Sequence, residues 1–253
     1  MLKHINIEDV ILAARSAGDA ILEVYRQDFH VEYKEDLSPL TLADKKANEV
    51  ITTILESLPV RLPVLSEEGK NIPYTQRRLW EWFWMIDPLD GTKEFIKKNG
   101  EFTVNIALIH QDTPVLGVVY APVLDNLYWG IHGLGAYKNG HRLPLEMPAD
   151  TRKKLRIVAS KSHMNEATAK YIETLSEETE KIELISVGSS LKLCMVAEGS
   201  ADIYPRLSPT MEWDTAAADA IVREAKKTCV NYRSGEMLRY NKADMTNEWF
   251  VVQ

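Results

Sequence analysis

Trp82-Phe83-Trp84-Met85-Ile86-Asp87-Pro88-Leu89-Asp90-Gly91-Thr92 is an apolar run that stops at an acidic turn. Trp82 to Ile86 has the aromatic and β-branched content of a buried strand. Pro88 has a fixed φ and no N–H, so the chain is predicted to leave the sheet there. Such a turn can project Asp87 and Asp90 together, with the Leu89 carbonyl between them. Two carboxylates and a carbonyl form an all-oxygen set, which suits a hard cation such as Mg²⁺. Gly91 permits close backbone approach, and the N–H groups that follow can hold a phosphate oxygen. The same hexapeptide also reads as an ordinary turn with solvated acids, since Asp, Pro and Gly dominate such turns.

Upstream, Ile7 to Tyr25 carries Val10, Ala14, Ala17, Ile21 and Val24 at helical spacing behind a plausible Asn6 cap. His30 to Lys34 reads as a short strand, and Glu35 to Pro39 as a turn. A second helix follows with Ala47, Val50, Ile51, Ile54, Leu55 and Leu58 on one stripe, stopped by Pro59 and Pro63; Val64-Leu65 is then a short strand. Downstream, Thr103 to Ile109, Val115 to Tyr120 and Asn126 to Ile131 are β-rich segments separated by turn residues, which predicts an antiparallel sheet. Lys138-Asn139-Gly140-His141 reads as a tight hairpin turn. The polar stretch from Leu145 to Lys154 is the candidate boundary between two sub-halves, roughly 1–150 and 151–253, of a single unit. Beyond it, strands at Leu155–Ala159, Ile182–Val187 and Ala201–Tyr204 alternate with helices near Glu166–Leu175, Leu191–Ala197 and Asp214–Ala225, an α/β pattern.

The 253 residues include 30 Lys and Arg against 37 Asp and Glu, a net charge of −7. A basic excess is what drives phosphate-coating of nucleic acid, so polymeric nucleic acid is not the expected partner. A small phosphorylated ligand stays open, because metal ions can supply positive charge. Cys194 and Cys229 are too few for a disulfide framework and lack zinc spacing, so they read as reduced, buried thiols. Met1 to Asn6 carries no secretory signal, and the most apolar stretch, Leu79 to Ile86, is short and holds Glu81. A soluble, cytoplasmic protein is expected.

Further acids stand at element ends. Glu67 and Glu68 follow the Pro63-Val64-Leu65 strand; Asp44 opens the second helix; Asp214 opens the last one. Asp44 and Asp214 also read as helix caps or dipole partners. Taken in order, Glu67-Glu68 after a strand, Asp87-Pro-Leu-Asp-Gly-Thr92, and Trp213-Asp214-Thr-Ala-Ala resemble the inositol monophosphatase superfamily of metal-dependent phosphatases. Lys34 to Asp44, Lys93-Glu94 after Thr92, and Asp202-Ile-Tyr-Pro-Arg206 ahead of Glu212 are similar to its CysQ-type bisphosphate nucleotidase subgroup. The resemblance runs from the first helix almost to the C-terminus.

It implies a layered αβαβα sandwich, α+β in its first half and α/β in its second. It implies one Mg²⁺ on Glu67, Asp87 and the Leu89 carbonyl, a second on Asp87, Asp90 and Asp214, and in some members a third near the glutamate. Glu68 is carried over only as a neighbour. Thr92, positioned by Asp44, would orient or deprotonate the attacking water, with Glu67 counted in the catalytic set. Glu67, Leu89, Asp90, Gly91, Thr92 and Asp214 would line the substrate site. The implied reaction is hydrolysis of adenosine 3′,5′-bisphosphate to AMP and phosphate in support of sulfur assimilation, with lithium sensitivity as a family expectation. The related sulfated nucleotide is a further implied substrate.

Gly188-Ser189-Ser190 either lines the sugar or base pocket or is a simple strand-to-helix turn with Ser as cap. Arg206 either pairs with a second phosphate or is a solvated or structural arginine. The chain departs from the superfamily at Ala218 and at Lys226-Lys227, where glycines are usual. A sugar or inositol monophosphate substrate, or a silent nucleotide- or metal-binding regulator, stand as alternatives. The composition permits a homodimer through the antiparallel half, and any membrane contact would be peripheral. Gly133-Leu134-Gly135 leads into a predicted hairpin and is not read as a dinucleotide loop.

Overall fold

The computed structural model describes residues 1–27, 31–33, 39–145, 154–159, 165–178 and 181–253. After a 3₁₀ turn at Leu2–His4, the elements are α1 (Ile7–Tyr25), β1 (Val31–Tyr33), β2 (Pro39–Thr41), α2 (Leu42–Ser57), β3 (Val64–Ser66), α3 (Tyr74–Arg77), β4 (Trp82–Asp90) and α4 (Thr92–Ile96). The chain continues through β5 (Thr103–His110), β6 (Thr113–Ala121), β7 (Asn126–Ile131), β8 (Gly135–Lys138), β9 (His141–Arg142) and β10 (Lys154–Ala159). It ends with α5 (Glu166–Glu178), β11 (Lys181–Ser186), α6 (Leu191–Glu198), β12 (Tyr204–Arg206), a 3₁₀ turn at Glu212–Asp214, α7 (Ala216–Glu224), β13 (Cys229–Asn231) and β14 (Phe250–Val252).

Strands β3 to β9 form one seven-stranded sheet in sequence order. Only β3 runs parallel to its neighbour β4; every later pair is antiparallel. Alternation along β4 sends Trp84 and Ile86 toward α1 and α2, and Phe83 and Met85 toward α6 and α7. On the far side of α6 and α7 lies a second layer of strands. There β10 and β11 pair in parallel and β12-β14-β13 are antiparallel, joined by a parallel bridge between Ile157 and Ile203. Tyr171, Ile172 and Leu175 of α5 cover Ile157, Ile203 and Val251. Helix, sheet, helix, sheet and helix therefore stack as the αβαβα sandwich expected.

Most predicted elements are present. The first helix spans the predicted residues, with Asn6 accepting a hydrogen bond from the Glu8 N–H. Asn139 and Gly140 both have positive φ in the β8–β9 turn. Cys194 and Cys229 are buried free thiols.

Five expectations need correction. The chain does not leave the sheet at Asp87-Pro88: β4 continues to Asp90, which pairs with Thr103 across a register irregularity. Proline's missing N–H falls inside that irregularity, where a strand tolerates it. Pro39 belongs to β2, while Lys34 to Ser38 lie outside the described residues. The third strand of the second half begins at Tyr204 rather than Ala201, because the Asp202 carboxylate is taken up by the Arg156 backbone and guanidinium. Asp214 ends a 3₁₀ turn before α7 and does not open that helix. The proposed boundary falls largely outside the described residues, at 146–153. The alternation in the second half yields one parallel pair and misses β13 and β14.

The C-terminal departures are absorbed locally. Ala218 is buried in α7. Lys226 takes the left-handed conformation just past the helix, φ 64°, and its N–H and that of Lys227 donate to the Arg223 and Val222 carbonyls.

Candidate metal and phosphate site

The acids gather where β3 and β4 end side by side. The two strands are paired through Ser66 and Ile86, and the Glu67 N–H extends the ladder by donating to the Ile86 carbonyl at 3.2 Å. The next residue on each strand is therefore an acid, Glu67 or Asp87. Asp214 arrives from the other half on its 3₁₀ turn. Carboxylate oxygens of Glu67, Asp87 and Asp214 lie within 4.8 Å of one another.

Asp87 is buried, and its Oδ1 accepts the Leu89 N–H at 3.0 Å. Burial, then the charges of Glu67, Asp90 and Asp214, hold its carboxyl well above the usual carboxylate range. Burial, then Asp90 and further Glu67, raise Asp214 likewise, although Oδ2 of Asp214 accepts the Met211 N–H at 2.8 Å. Like charges at such spacing repel by about 3–4 kcal/mol per pair at an effective dielectric near 20. Three ionised pairs would cost on the order of 10 kcal/mol, comparable with the whole stability of a domain. The cluster must hold protons or cations. An all-oxygen donor set of this kind fits a hard divalent cation.

Asp90 stands slightly apart from those three. Its Oδ2 accepts the Ser190 N–H and hydroxyl, each at 2.6 Å. Asp44 is buried and serves two partners. Its Oδ2 accepts the Thr41 N–H and hydroxyl in a capping box, and its Oδ1 accepts the Thr92 hydroxyl at 3.2 Å. Capping and site functions, read as alternatives in the sequence, coexist in one carboxylate. Burial raises the Asp44 carboxyl against the lowering effect of the Thr41 bonds. Thr92 Oγ1 also lies 3.4 Å from the Leu89 carbonyl. Gly91, at φ 95°, turns the chain from β4 into α4.

All of these acids except Asp44, which stands behind Thr92, open onto a cleft of about 270 Å³. Glu67, Leu89, Asp90, Gly91, Thr92, Gly188, Ser189, Arg206 and Asp214 all line it; Glu68 does not. Gly188 is held by its environment: a Cβ there would sit 2.6 Å from the Glu101 carbonyl oxygen. That close crossing, sealed by the Gly188 N–H on Glu101, brings Ser189 and Ser190 over the acids. Ser189 Oγ and Arg206 Nε are buried in the cleft lining without a hydrogen-bond partner. Arg206 is anchored through a second nitrogen to the Pro209 carbonyl.

Lys192, outside every motif read from the sequence, also lines the cleft. It is 6% exposed, donates to the Ser189 carbonyl at 2.6 Å and lies over the Tyr204 ring. Burial pushes its ammonium down to about 8, against the pull of Asp90 and Asp214. A signal existed: Lys192 is the one cation in the apolar run Leu191 to Ala197. The cleft thus joins an acidic lining to a basic one, as a phosphoester with a second anionic group requires.

Comparison with known proteins shows what the whole chain is similar to. The chain is 49% identical over 219 residues to the 3′(2′),5′-bisphosphate nucleotidase CysQ of Salmonella typhimurium, covering 85% of this chain and 86% of that one. It is 46% identical over 223 residues to the protein of the same name from Escherichia coli K12, covering 87% of each. The crystal structure of CysQ from Bacteroides thetaiotaomicron superposes with a TM-score of 0.88 at 48% identity, over 97% of this chain and 96% of that one. An inositol monophosphatase from Anabaena shares the fold at a TM-score of 0.74 and 24% identity, over 97% and 89% of the two chains. The model of the inositol monophosphatase family matches residues 3–248. By fold, by match along nearly its whole length and by the acids at its strand ends, the chain belongs to the inositol monophosphatase family.

Proposed function

We propose that this chain is a Mg²⁺-dependent 3′(2′),5′-bisphosphate nucleotidase that hydrolyses adenosine 3′,5′-bisphosphate to AMP and phosphate. The observation that carries the reading is one cleft lined by Glu67, Asp87, Asp90 and Asp214 together with buried Lys192 and half-buried Arg206. Relatives bearing the nucleotidase name at 45–49% identity support it. Sulfur assimilation in the cytoplasm is the setting this reaction fits.

Glu67, Asp87, the Leu89 carbonyl, Asp90 and Asp214 would hold two divalent cations, and a third is compatible with the acids near Glu67. Bound there, such ions neutralise the phosphate and acidify water, the chemistry a phosphomonoester dianion requires. The chain's own groups do the rest. Asp44 accepts the Thr92 hydroxyl proton, which leaves the Thr92 oxygen able to accept a hydrogen bond from the attacking water and aim it at phosphorus. Backbone N–H groups at Gly91 and Thr92 receive phosphoryl oxygens as charge shifts. Lys192 and Arg206 take the second phosphate, Arg206 through its unpaired Nε. Gly188 and Ser189 flank the sugar. Both halves contribute, so the catalytic unit is the whole chain.

The test is phosphate release from adenosine 3′,5′-bisphosphate and from inositol 1-phosphate, side by side, with Mg²⁺ and with chelator. A strong, chelator-sensitive preference for the nucleotide is expected. Preference for the inositol ester would discard the substrate while keeping the chemistry. Release from neither, with nucleotide still bound, would make the chain a binding regulator.

A further inference from the structure

Resting on the metal-dependent reading above, we infer that Ser190 is a positioning residue that presets Asp90 for the cation. The two residues are 100 positions apart, one at the end of β4 and one at the start of α6. Asp90 Oδ2 takes both the backbone N–H and the hydroxyl of Ser190, each at 2.6 Å, while Oδ1 takes neither. Asn105 Nδ2 donates to Ser190 Oγ at 2.7 Å, so the hydroxyl's own proton must point elsewhere. The Asp214 carbonyl lies within reach at 2.8 Å. The carboxylate is the stronger acceptor, because a bond to an ionised group is roughly twice as strong as a neutral one.

Ser190 Oγ therefore sits between the side chain of one ligand and the backbone of another. Ser190 and Asn105 are each 1% exposed, so water does not substitute for them. Nor does the hydroxyl cap α6: Ser190 occupies the N-cap position without a side-chain cap bond. Its bonding is spent on the acids. A carboxylate held in one rotamer loses no further freedom when a cation arrives, which is how supporting shells raise metal affinity. The contact also couples the halves, since the second half supplies the group that orients a ligand of the first.

The experiment is calorimetric titration of the metal-free full-length chain with Mg²⁺, without substrate, beside melting curves in chelator. Ser190→Ala should bind Mg²⁺ roughly tenfold or more weakly than the parent. Ser190→Thr, which keeps the hydroxyl, should recover most of that loss. In turnover assays, the Mg²⁺ concentration for half-maximal rate should rise, with KM for the nucleotide unchanged at saturating Mg²⁺. A purely structural serine would lower the metal-free melting temperature and leave Mg²⁺ affinity within twofold of the parent, which overturns the inference. Should Ser190→Ala not fold, Asn105→Ala tests the same Asp90–Ser190–Asn105 cluster, since its Nδ2 reaches Ser190 Oγ at 2.7 Å and Asp90 Oδ2 at 3.5 Å; a severalfold loss of Mg²⁺ affinity is expected and no change overturns the inference. A parent chain that binds no Mg²⁺ would instead remove the metal-dependent reading itself.

Discussion

Glu67, Asp87 and Asp90 stand at the ends of two paired strands, β3 and β4, whereas Lys192 and Arg206 stand on α6 and β12 in the other half of the chain. The acids are placed by local pairing: once Ser66 meets Ile86, the next residues must meet too. The bases are placed by packing, because α6 is anchored by apolar neighbours in the core and carries its single lysine with it. Burial acts on both linings in the direction of neutrality, raising Asp87 and Asp214 and lowering Lys192. Without ligands, burial works against the charge on Asp87, Asp214 and Lys192. Cations complete the acidic lining and an anion completes the basic one, so the two linings are expected to depend on each other.

Changing one side at a time breaks that symmetry. Asp90→Asn should reduce kcat/KM for the nucleotide by about 100- to 1,000-fold, the range for losing one group that stabilises transition-state charge. Its melting temperature in chelator should equal or exceed the parent's, since a like charge leaves the cluster. Near-parental turnover would remove Asp90 from the metal site. Asp44→Asn should lower kcat by about 100-fold with a smaller change in KM, as expected for a group acting on the water. Steady-state kinetics with a binding titration separate the two, and a pure binding defect would contradict the role given to Thr92.

Lys192→Ala should raise KM for the bisphosphate by about tenfold or more, the usual weight of a charged hydrogen bond. Turnover of a nucleoside 3′-monophosphate should change far less, and equal losses on both substrates would show that Lys192 does not read the second phosphate. The smallest effect is in pH. Burial lowers the Lys192 ammonium from its ordinary 10.5 to about 8 in the folded chain. Between those values the unfolded chain holds more protons, so its contribution makes stability rise with pH while affinity for the bisphosphate falls severalfold. For Asp87 and Asp214 the folded values are raised. Their contribution to stability is present at low pH and lost as pH rises through those raised values. Melting curves taken upward in pH from the ordinary carboxylate range should therefore show a decline in chelator that Mg²⁺ reduces, and parallel curves would contradict cation binding at the cluster.

Much of the acidic lining was readable along the chain. Asp87 to Thr92 is a short ordered motif, and Glu67 and Asp214 each stand beside a recognisable neighbour. What could not be read was which alternative each acid followed. By spacing alone Asp44 read as a helix cap, the resemblance paired it with Thr92, and the fold puts both roles on its two oxygens. Asp214 proved to turn back onto Met211 and left α7 uncapped. Strands β13 and β14 have three residues each, too few for alternation to register, and exist because each pairs with a distant segment. Asn105, a lone amide in the buried run Val104 to Ile109, gave no hint of its partner 85 residues away.

Patterns along the chain placed the first helix, the antiparallel strands of the principal sheet and the Asp87–Asp90 turn, while the αβαβα class and the ligand set followed from the family resemblance. Periodicity, turn chemistry and short motifs act over a few residues, so they are legible before the chain folds. Only the tertiary structure decided that Ser190 holds Asp90, that Lys192 and Arg206 face into the same cleft as the carboxylates, and that β4 runs on past Pro88. Those outcomes depend on which distant surfaces bury each other, and hydrophobic burial is non-directional, so no local pattern encodes them.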